Sequence, residues 1–406
     1  MSAFHWDAAA VRAVVPLRPD GTPRSVLDHE RAYAAAVWSC LAEPGDAVAG
    51  ALIDALGPDD ALREVIAGCR GTLAADAAGI PPDELRAGVR RWQPRLEAES
   101  IAFALHLAVS AGVHLVTPDD DCWPAALDDL GPHAPVALWV RGDPAVLTRL
   151  DPAIALVGAR AATGYGEHIA EEFAADLAGR GVAVVSGAAY GIDGAAHRAA
   201  LAAGGITVAL LAGGVDRPYP AGHTDLLRRI AASGAVLGEV PCGSAPTRWR
   251  FLQRNRLIAA LGDATVVIEA GWRSGSLNTA GHAATLGRPL GAVPGPVTSG
   301  SSAGCHRLLR EFDARCVTTS DEAAELLGLD AAHGSERGER EDDRTGERTR
   351  VSDALSARSW RTVDDVARRS GMATAQVRAH LGMMALEGVA ANEGVRWRRV
   401  VAGAGD

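Results

Sequence analysis

Four arginines lie close together in one segment of the chain, which reads RWRFLQRNR over residues 248–256: Arg248, Arg250, Arg254 and Arg256. Arginine binds phosphate through paired N–H groups and stacks on nucleobases. A buried strand is predicted next, over 265–269. The loop Ser274-Gly275-Ser276 then opens another helix, whose unpaired N–H groups would attract an anion. The combination predicts a polyanion site, and it indicates nucleic acid.

Two earlier glycine-rich loops also follow predicted strands. VGARAATGYG (157–166) enters a helix at about Gly164, and Arg160 within it is interpreted as a phosphate ligand, with a tight turn as the alternative. SGAAYGIDGAAH begins at Ser186-Gly187. Neither loop is G-x-G-x-x-G, and the second strand ends in Ser186 where a dinucleotide site needs an acidic residue. A nicotinamide cofactor is therefore disfavoured, and we expect no cofactor.

Several polar residues allow a catalytic or a structural interpretation. Asp193 is placed as a helix N-cap, and His197 lies one turn later on the same face; we favour a structural pair over acid/base chemistry. Glu269 ends a strand and is expected to orient a loop or an arginine. Asp119-Asp120-Asp121 is interpreted as a solvated turn rather than a metal site. No nucleophile accompanies these groups, so no catalytic residue and no metal ligand is predicted.

Trp249 and Phe251 alternate with the arginines of the first segment. Either ring could stack on bases, and Phe251 is expected in the core.

Composition narrows the class of protein. The 406 residues carry a formal charge of −10, and all 40 basic residues are arginine, so a nucleic-acid site must be a local patch. Without lysine, a P-loop ATPase and a lysine Schiff base are excluded. The six cysteines form no C-x-x-C pair and are expected to be buried thiols. With no signal peptide and no membrane-length apolar run, a cytoplasmic protein without membrane contact is expected.

The pattern along the chain predicts several regions. Residues 1–25 are expected to be irregular, and 28–110 helical with breaks at Gly57-Pro58 and Pro81-Pro82. Residues 113–150 are interpreted as a connecting segment. From 153 to 320, predicted strands alternate with helices, which is typical of a mainly parallel sheet covered on both faces. The six strands are predicted over 154–157, 183–186, 207–213, 235–240, 265–270 and 290–295. The charged segment 331–350 is predicted to be a flexible linker, and 351–400 a winged-helix fold.

Seven motifs occur in a fixed order: Gly158-Ala159-Arg160, Ser186 to His197, Gly213 to Pro220, Phe251 to Arg256, Val266 to Ala270, Ser274 to Ala280 and Val293-Pro294-Gly295. Together they resemble the DprA/Smf family of DNA-processing proteins, over about residues 100 to 330. The chain departs from the family pattern in having His223 where an Asn is usual. Members of the family often use lysines on the DNA path, and in this chain any equivalents must be arginine or absent.

The resemblance implies an α/β fold: an extended Rossmann-like domain with a mainly parallel sheet over 111–330. A small helical (SAM-like) N-terminal domain over 1–110 and a winged-helix-like C-terminal domain over 351–400 would flank it. It also implies a homodimer that binds single-stranded DNA, and duplex more weakly. Such a protein promotes RecA loading in natural transformation and recombination.

The implied phosphate pocket maps onto Arg160, Ser186, Gly187, Arg254, Arg256, Ser274, Gly275 and Ser276. The residue pattern adds Gly158 and Arg250 to the DNA-contacting set.

Two other functions stay open from the sequence. A related pocket occurs in nucleoside-monophosphate phosphoribohydrolases, with Glu269 as the candidate acid/base, although the P-G-G-x-G-T loop and its following Glu are absent. A transcription regulator would instead bind DNA through the helix after Ala373, with Arg368, Arg369, Arg378, Arg396, Arg398 and Arg399 nearby. Small folds of this kind also serve as protein-contact modules.

Overall fold

The computed structural model describes residues 6–19, 25–72, 79–329 and 346–400. The chain divides into two compact units, with the boundary between Ala331 and Ala332. Most of the predicted linker over 331–350 lies outside the described residues. None of the helices in these ranges is long and apolar enough to span a membrane.

A nine-stranded sheet organises the first unit. Its strands, in chain order, are β1 (Val113–Val116), β2 (Leu138–Gly142), β3 (Ala153–Val157), β4 (Ala183–Ser186), β5 (Thr207–Leu211), β6 (Ala235–Gly238), β7 (Ala264–Val267), β8 (Leu290–Ala292) and β9 (Arg315–Cys316). Their spatial order is β1-β2-β6-β5-β4-β3-β7-β8-β9. In this order, all seven strands β6-β5-β4-β3-β7-β8-β9 are parallel to one another, and β2 pairs with β6 in the antiparallel direction. The predicted Rossmann-like, mainly parallel sheet is confirmed.

The central strands are apolar runs because helices cover both faces of the sheet. Every residue of β3 is buried, and alternate residues face opposite layers. Ile154 and Leu156 join a core with α7 (Gly164–Gly179) and α8 (Ile192–Ala202). Ala155 and Val157 join the other core, with α10 (Arg248–Leu261), α11 (Ser276–Thr285) and α12 (Ala303–Glu311). Two more helices that the structure describes are α9 (Thr224–Ser233) and α13 (Ser320–Glu325).

Six α-helices of the described residues precede the sheet: α1 (Ala8–Arg12), α2 (Val26–Leu41), α3 (Ala47–Leu56), α4 (Pro58–Cys69), α5 (Pro82–Trp92) and α6 (Ala98–Ser110). The breaks predicted at Gly57-Pro58 and Pro81-Pro82 are confirmed. Gly57 has φ +79°, a left-handed conformation that favours glycine, and Pro58 begins α4 where its missing N–H costs nothing. These helices share one apolar core with strand residues such as Leu115 and Trp139.

Four sequence expectations about the fold are wrong. Residues 8–12 are helical, because the Asp7 side chain accepts from the Ala9 and Ala10 amides and caps α1. The segment 113–150 is not merely a connection, since it supplies β1 and β2. Asp120 is not solvated: it is buried, its carboxylate lies 2.6 Å from the Arg18 guanidinium, and it accepts from the Thr117 amide. Cys316 is exposed, whereas Cys122, Cys242 and Cys305 are buried thiols as expected.

The second unit is a winged-helix fold, as predicted. It contains α14 (Glu347–Ala354), β10 (Arg361–Thr362), α15 (Val363–Ser370), α16 (Thr374–Leu386), β11 (Ala390–Glu393) and β12 (Arg396–Arg399). The strands form a sheet in the order β10-β12-β11. Gly371 ends α15 with φ +66°, so the chain turns in a left-handed cap. Val366, Val377 and Leu381 pack in its separate apolar core.

Candidate nucleic-acid interface

A groove of about 900 Å³ opens at the carboxyl ends of β3 and β7. These two strands are neighbours in the sheet, and the chain proceeds from β3 to β4 on one side but reaches β7 on the other. A crevice forms where the strand order switches in this way, and ligands of open α/β sheets bind there. The loops after β3 and β7, together with α10, line the groove.

Arg254 projects from α10 into the floor of this groove and is 6% exposed. Its Nη1 donates to the carbonyl of Gly187, at 2.8 Å, and to that of Leu210. Its Nε is buried and has no partner among the described residues. Burial lowers the pKa of Arg254 to about 10, Asp193 opposes that shift and Arg160 adds to it. The guanidinium is therefore cationic at neutral pH, fixed in place, and incompletely satisfied.

Arg160 extends from the loop after β3 over the ring of Phe251, with the guanidinium carbon 4.7 Å from the ring centroid. The Tyr219 ring lies 5.5 Å from the Phe251 ring, and all three side chains line the groove. Phe251 is half-buried and faces this groove, so its predicted core position is wrong. A cation over an aromatic face is a stable arrangement that also presents free N–H edges to a phosphate.

The loop after β7 supplies the opposite wall. Ser274 and Ser276 both line the groove, and their hydroxyl oxygens lie 2.8 Å apart. α11 begins at Ser276 with no side-chain cap, so its positive end is available to an anion. Gly275 is exposed at this point, and a Cβ there would meet nothing within 4 Å. The Asn255 amide donates to the Gly275 carbonyl at 3.3 Å and fixes the loop against α10.

Two further arginines line the groove: Arg248, which belongs to the arginine-rich segment but was not assigned to the phosphate pocket, and Arg273, which was not predicted. Arg248 lies at the start of α10, and Arg273 directly precedes the Ser274-Gly275-Ser276 loop. Both are exposed. The position of Arg273 beside the predicted anion loop is the sequence signal that could have placed it at the groove. With Arg160 and Arg254, the groove holds four guanidiniums, and Asp193 is the carboxylate among its lining residues.

Gly158, Ser186 and Gly187 were predicted to contact phosphate, but only Gly158 lines the groove. At Gly158 a Cβ would lie 2.5 Å from the Ile192 side chain, so the loop passes too close for any other residue. Ser186 is fully buried and its hydroxyl donates to the Leu156 carbonyl at 2.6 Å. Gly187 lies behind Arg254, and a Cβ would overlap the guanidinium. Both therefore support the groove from beneath instead of lining it.

Arg250 and Arg256 lie outside the groove, and both are bound to carboxylates. Arg256 is 2% exposed and makes two hydrogen bonds with Glu239, at 2.6 and 2.7 Å. Arg250 donates to Glu43, at 2.8 and 2.9 Å. Burial raises the pKa of Glu43, but hydrogen bonds from Arg250 and Arg95 outweigh it and hold the pKa below its ordinary value. Neither guanidinium is available to phosphate in this structure.

Glu269 orients the loop that carries Arg160. Its carboxylate accepts from the Thr163 amide at 2.8 Å and from the Thr163 hydroxyl at 2.9 Å. The Glu269 carbonyl accepts from the Ala159 amide at 2.7 Å. The carboxylate lines a separate cavity of about 370 Å³ near Pro294 and does not line the larger groove. The orienting role expected from the sequence is confirmed.

Asp193 and His197 do not form a catalytic pair. α8 is capped by Gly191, with φ +74°, so the expected N-cap role of Asp193 is wrong. Asp193 instead accepts from the Ala189 amide at 3.2 Å, and burial raises its pKa despite the Arg254 charge. The Nδ1 atom of His197 lies 2.7 Å from the Thr207 hydroxyl. Burial, with the nearby His223, lowers the pKa of His197 to about 3, so it is neutral at pH 7.

Comparison with known proteins places the groove in a wider context. The model of the family described as "DNA recombination-mediator protein A" matches residues 114–328, and a winged-helix domain model described as "DprA winged helix domain" matches 335–394. The chain is 47% identical over 388 residues to a putative DNA processing protein DprA of Mycobacterium tuberculosis, covering 92% of this chain and 96% of that one.

A DNA processing protein DprA of Streptococcus pneumoniae is 39% identical over 203 residues, which is 50% of this chain and 70% of that protein. The X-ray structure of DprA from the same organism superposes with a TM-score of 0.57 at 29% identity, covering 73% of this chain and 97% of that one.

Proposed function

The chain belongs to the DNA recombination-mediator protein A family, and on that premise we propose that it binds single-stranded DNA, and duplex more weakly, through the groove. One observation carries the proposal: four guanidiniums and the uncapped start of α11 converge on one groove at the switch point of the sheet. In this proposal, Arg160, Arg248, Arg254 and Arg273 bind successive phosphates, and Ser274, Gly275 and Ser276 contribute hydroxyl and N–H donors.

The preference for single strands rests on the aromatic side chains at the groove. Tyr219 lines it and is 46% exposed, and Trp249 is 56% exposed on the first turn of α10, whereas the Phe251 ring is covered by Arg160. Bases that are not paired can stack on such rings, at about 1–3 kcal/mol per base, whereas the bases of a duplex are already stacked on each other. Because phosphate contacts and stacking do not distinguish one base from another, we expect little sequence preference.

We propose a binding function without catalysis, and the position of Glu269 supports this choice over a phosphoribohydrolase. In that alternative, Glu269 would act on a nucleotide held by the arginines. Its carboxylate instead accepts two hydrogen bonds from Thr163 and faces the smaller cavity. Release of free base from a nucleoside monophosphate, abolished in Glu269→Gln, would overturn the non-catalytic proposal.

We also propose that the chain acts as a homodimer and promotes RecA loading. The description of its family as a recombination mediator supports a partner of this kind. Light scattering tests the dimer, and RecA filament formation on DNA precoated with a single-strand-binding protein tests the loading. A monomer at micromolar concentration would contradict the proposed homodimer. Filament formation that the protein does not accelerate would contradict the proposed RecA loading.

The groove is tested by fluorescence anisotropy with unrelated single strands over a salt series, comparing the wild type with Arg160→Ala and Arg254→Ala. Each substitution should weaken binding to every sequence and reduce the log–log salt slope by roughly 0.7, the value for one phosphate contact on single strands. Arg250→Ala is the matched control, since it removes the same charge from the same helix outside the groove. Wild-type binding by both groove variants would refute the assignment.

A further inference from the structure

The second unit is basic in an acidic chain. Residues 346–400 contain ten arginines and six carboxylates, a formal charge of +4, whereas the whole chain has −10. Such a local excess creates a positive field that attracts polyanions. The positions of the arginines without carboxylate partners determine which face of the winged-helix fold carries the positive potential.

Arginines on the helical side of this unit have protein partners. Arg348 forms an ion pair with Glu387, and Arg368 and Arg369 lie 3.9 and 3.5 Å from the Asp365 carboxylate. The Arg350 guanidinium donates to the Ser370 carbonyl at 2.7 Å. These contacts occupy the guanidiniums of Arg348 and Arg350, and they place one carboxylate, that of Asp365, beside both Arg368 and Arg369.

The arginines of the wing are different. Arg358, Arg396, Arg398 and Arg399 are exposed, and none of them forms an ion pair with a carboxylate in the described part of the chain. Arg396 and Arg398 are two residues apart on β12, so their side chains leave the same face of the sheet, about 6.7 Å from each other. Between them, Trp397 packs into the apolar core. Glu393 is paired with Arg396 in the hairpin register, yet no ion pair joins the two side chains.

One aromatic ring completes this surface. The Arg398 guanidinium carbon lies 4.6 Å from the centroid of the Trp360 ring. Stacking on an indole holds the guanidinium plane in position and leaves its N–H edges free for a phosphate. The wing face, defined here as Arg358, Trp360, Arg396 and Arg398, thus combines unpaired guanidiniums with a half-buried aromatic ring.

Helix α16, which occupies the recognition-helix position, lacks these properties. Its exposed side chains include Met383, 61% exposed, and Leu386, 91% exposed. Arg378 is its one arginine, and Glu347 contacts both Gln376 and His380 on the same helix. A helix with so little free positive charge and two exposed apolar side chains is poorly suited to the polar major groove of DNA.

We propose that the wing face is a second nucleic-acid site, which binds the phosphodiester backbone through β12 and the loop before β10 and not through α16. Arg396 and Arg398 bind phosphates, and Arg358 extends the contact. The site takes a polynucleotide without reading its sequence, because guanidinium–phosphate contacts carry no base information. This proposal does not depend on the groove in the first unit.

The test uses the full chain and two matched double variants. Arg396→Gln with Arg398→Gln removes two charges from the wing face, and Arg368→Gln with Arg369→Gln removes two exposed charges from α15 of the same unit. Each protein is titrated by fluorescence anisotropy with a labelled single strand and with a labelled duplex of equal length, over a salt series. Thermal unfolding of each variant serves as the control that the fold is retained.

We expect the wing variant to lose about tenfold in affinity for one or both probes, and its salt slope to fall by about 0.7 per lost contact on single strands and 0.9 on duplex. The probe that suffers the larger loss identifies the form of nucleic acid that the wing binds. The α15 variant should stay within about twofold of the wild type, with an unchanged slope. Unaltered binding by the wing variant to both probes overturns the proposal, and so does an equal loss in both variants, which reports bulk charge alone.

The wing double variant and the α15 double variant are then each combined with Arg160→Ala, which separates the effect of the wing face from that of the groove. If the wing pair still weakens binding in that background, the wing contributes by itself. If Arg160→Ala has no effect while the wing pair retains its own, the groove assignment fails and the wing assignment stands. Loss of the wing effect in the Arg160→Ala background contradicts an independent second site.

Discussion

The two sides of α10 use arginine in opposite ways. On the groove side, no carboxylate of the described residues lies within ion-pair distance of Arg248 or Arg254. On the other side, Arg250 and Arg256 each bind a carboxylate, from Glu43 and Glu239. The residue type and the helix are the same, and only the partners differ. A guanidinium with a carboxylate stabilises the fold, whereas one without a carboxylate is available to a ligand.

The partners reflect the layers that pack against each side. Glu43 follows α2 and belongs to the N-terminal helices, and Glu239 follows β6 in the sheet. On the groove side, backbone carbonyls of Gly187 and Leu210 hold Arg254 without neutralising it. The cost of its burial is seen in its pKa, which is lowered to about 10.

The largest expected effect is on the carboxylate side. Arg256→Met leaves the Glu239 carboxylate without its partner in a site where its side chain is 12% exposed. Removing one member of a buried ion pair costs about 3–5 kcal/mol, so the urea midpoint should fall sharply. DNA affinity of the folded protein should change less than twofold.

Glu239→Leu combined with Arg256→Met provides the control for that prediction. Because an apolar pair can replace a buried ion pair at little cost, the double variant should recover much of the lost stability. If Arg256→Met lowers the free energy of unfolding by less than about 1 kcal/mol, the proposed difference between the two sides of α10 is wrong.

Arg254→Ala should act mainly on binding. Hydrogen bonds to charged groups contribute about 1.5–3 kcal/mol, so single-strand affinity should fall by about 10- to 100-fold. Arg250→Ala, measured in the same anisotropy assay, should stay within about twofold. Equal losses in the two variants would show that charge on α10 acts at a distance and that the groove has no special role.

His197 makes the stability of the fold depend on pH, and the main cause is its burial. Its pKa is lowered to about 3 by burial first and then by His223 and Arg254, from an ordinary value of 6.5. Between these values the unfolded chain binds a proton that the folded protein does not. Stability should therefore fall as pH drops below about 6.5, at about 1.4 kcal/mol per pH unit from this group.

Urea unfolding at several pH values measures this slope. His197→Gln should reduce it, whereas His168→Gln, at a histidine whose side chain is 73% exposed, should leave it as in the wild type. An unchanged slope in His197→Gln would assign the pH dependence to other groups.

The smallest effect is expected at the Arg250–Glu43 pair, whose side chains are 18% and 32% exposed. Arg250→Ala should cost about 0.2–1 kcal/mol, because solvent screens a partly exposed pair. Since the pKa of Glu43 is held below its ordinary value, its contribution is present above about pH 4.3 and disappears as pH falls through the lowered pKa. The difference between Arg250→Ala and the wild type should thus narrow in acid, as measured by unfolding from pH 7 down to pH 3.

The six parallel strands over 153–295 could be predicted because strands buried on both faces are apolar runs bounded by glycine loops. The carboxyl ends of β3 and β4 agree with the prediction, and those of the other four strands were placed too late. The predicted 207–213, for example, ends at Leu211, because the following apolar residues belong to loops that stay buried. β1 and β2 were missed since each is short, and β2 pairs antiparallel with a strand almost a hundred residues later.

The candidate site was predictable where one short loop carries its own signal, as do the loop with Arg160 and the loop from Ser274 to Ser276. It was not predictable where long-range packing selects among similar residues. Nothing local distinguishes Arg250 from Arg254, because Glu43 is brought to Arg250 from 207 positions away. Phe251 was assigned to the core on its apolar character alone, and the overlying Arg160 could not be foreseen.

The tether of Arg254 to the Gly187 and Leu210 carbonyls has a consequence for the thermodynamics of binding. A free arginine side chain loses rotamer entropy when it grips a ligand, and here most of that loss has already occurred during folding. In isothermal titration calorimetry, Arg254→Lys should therefore bind with a less favourable entropy than the wild type, beyond any loss of enthalpy. The groove is in this sense rigid before its ligand arrives.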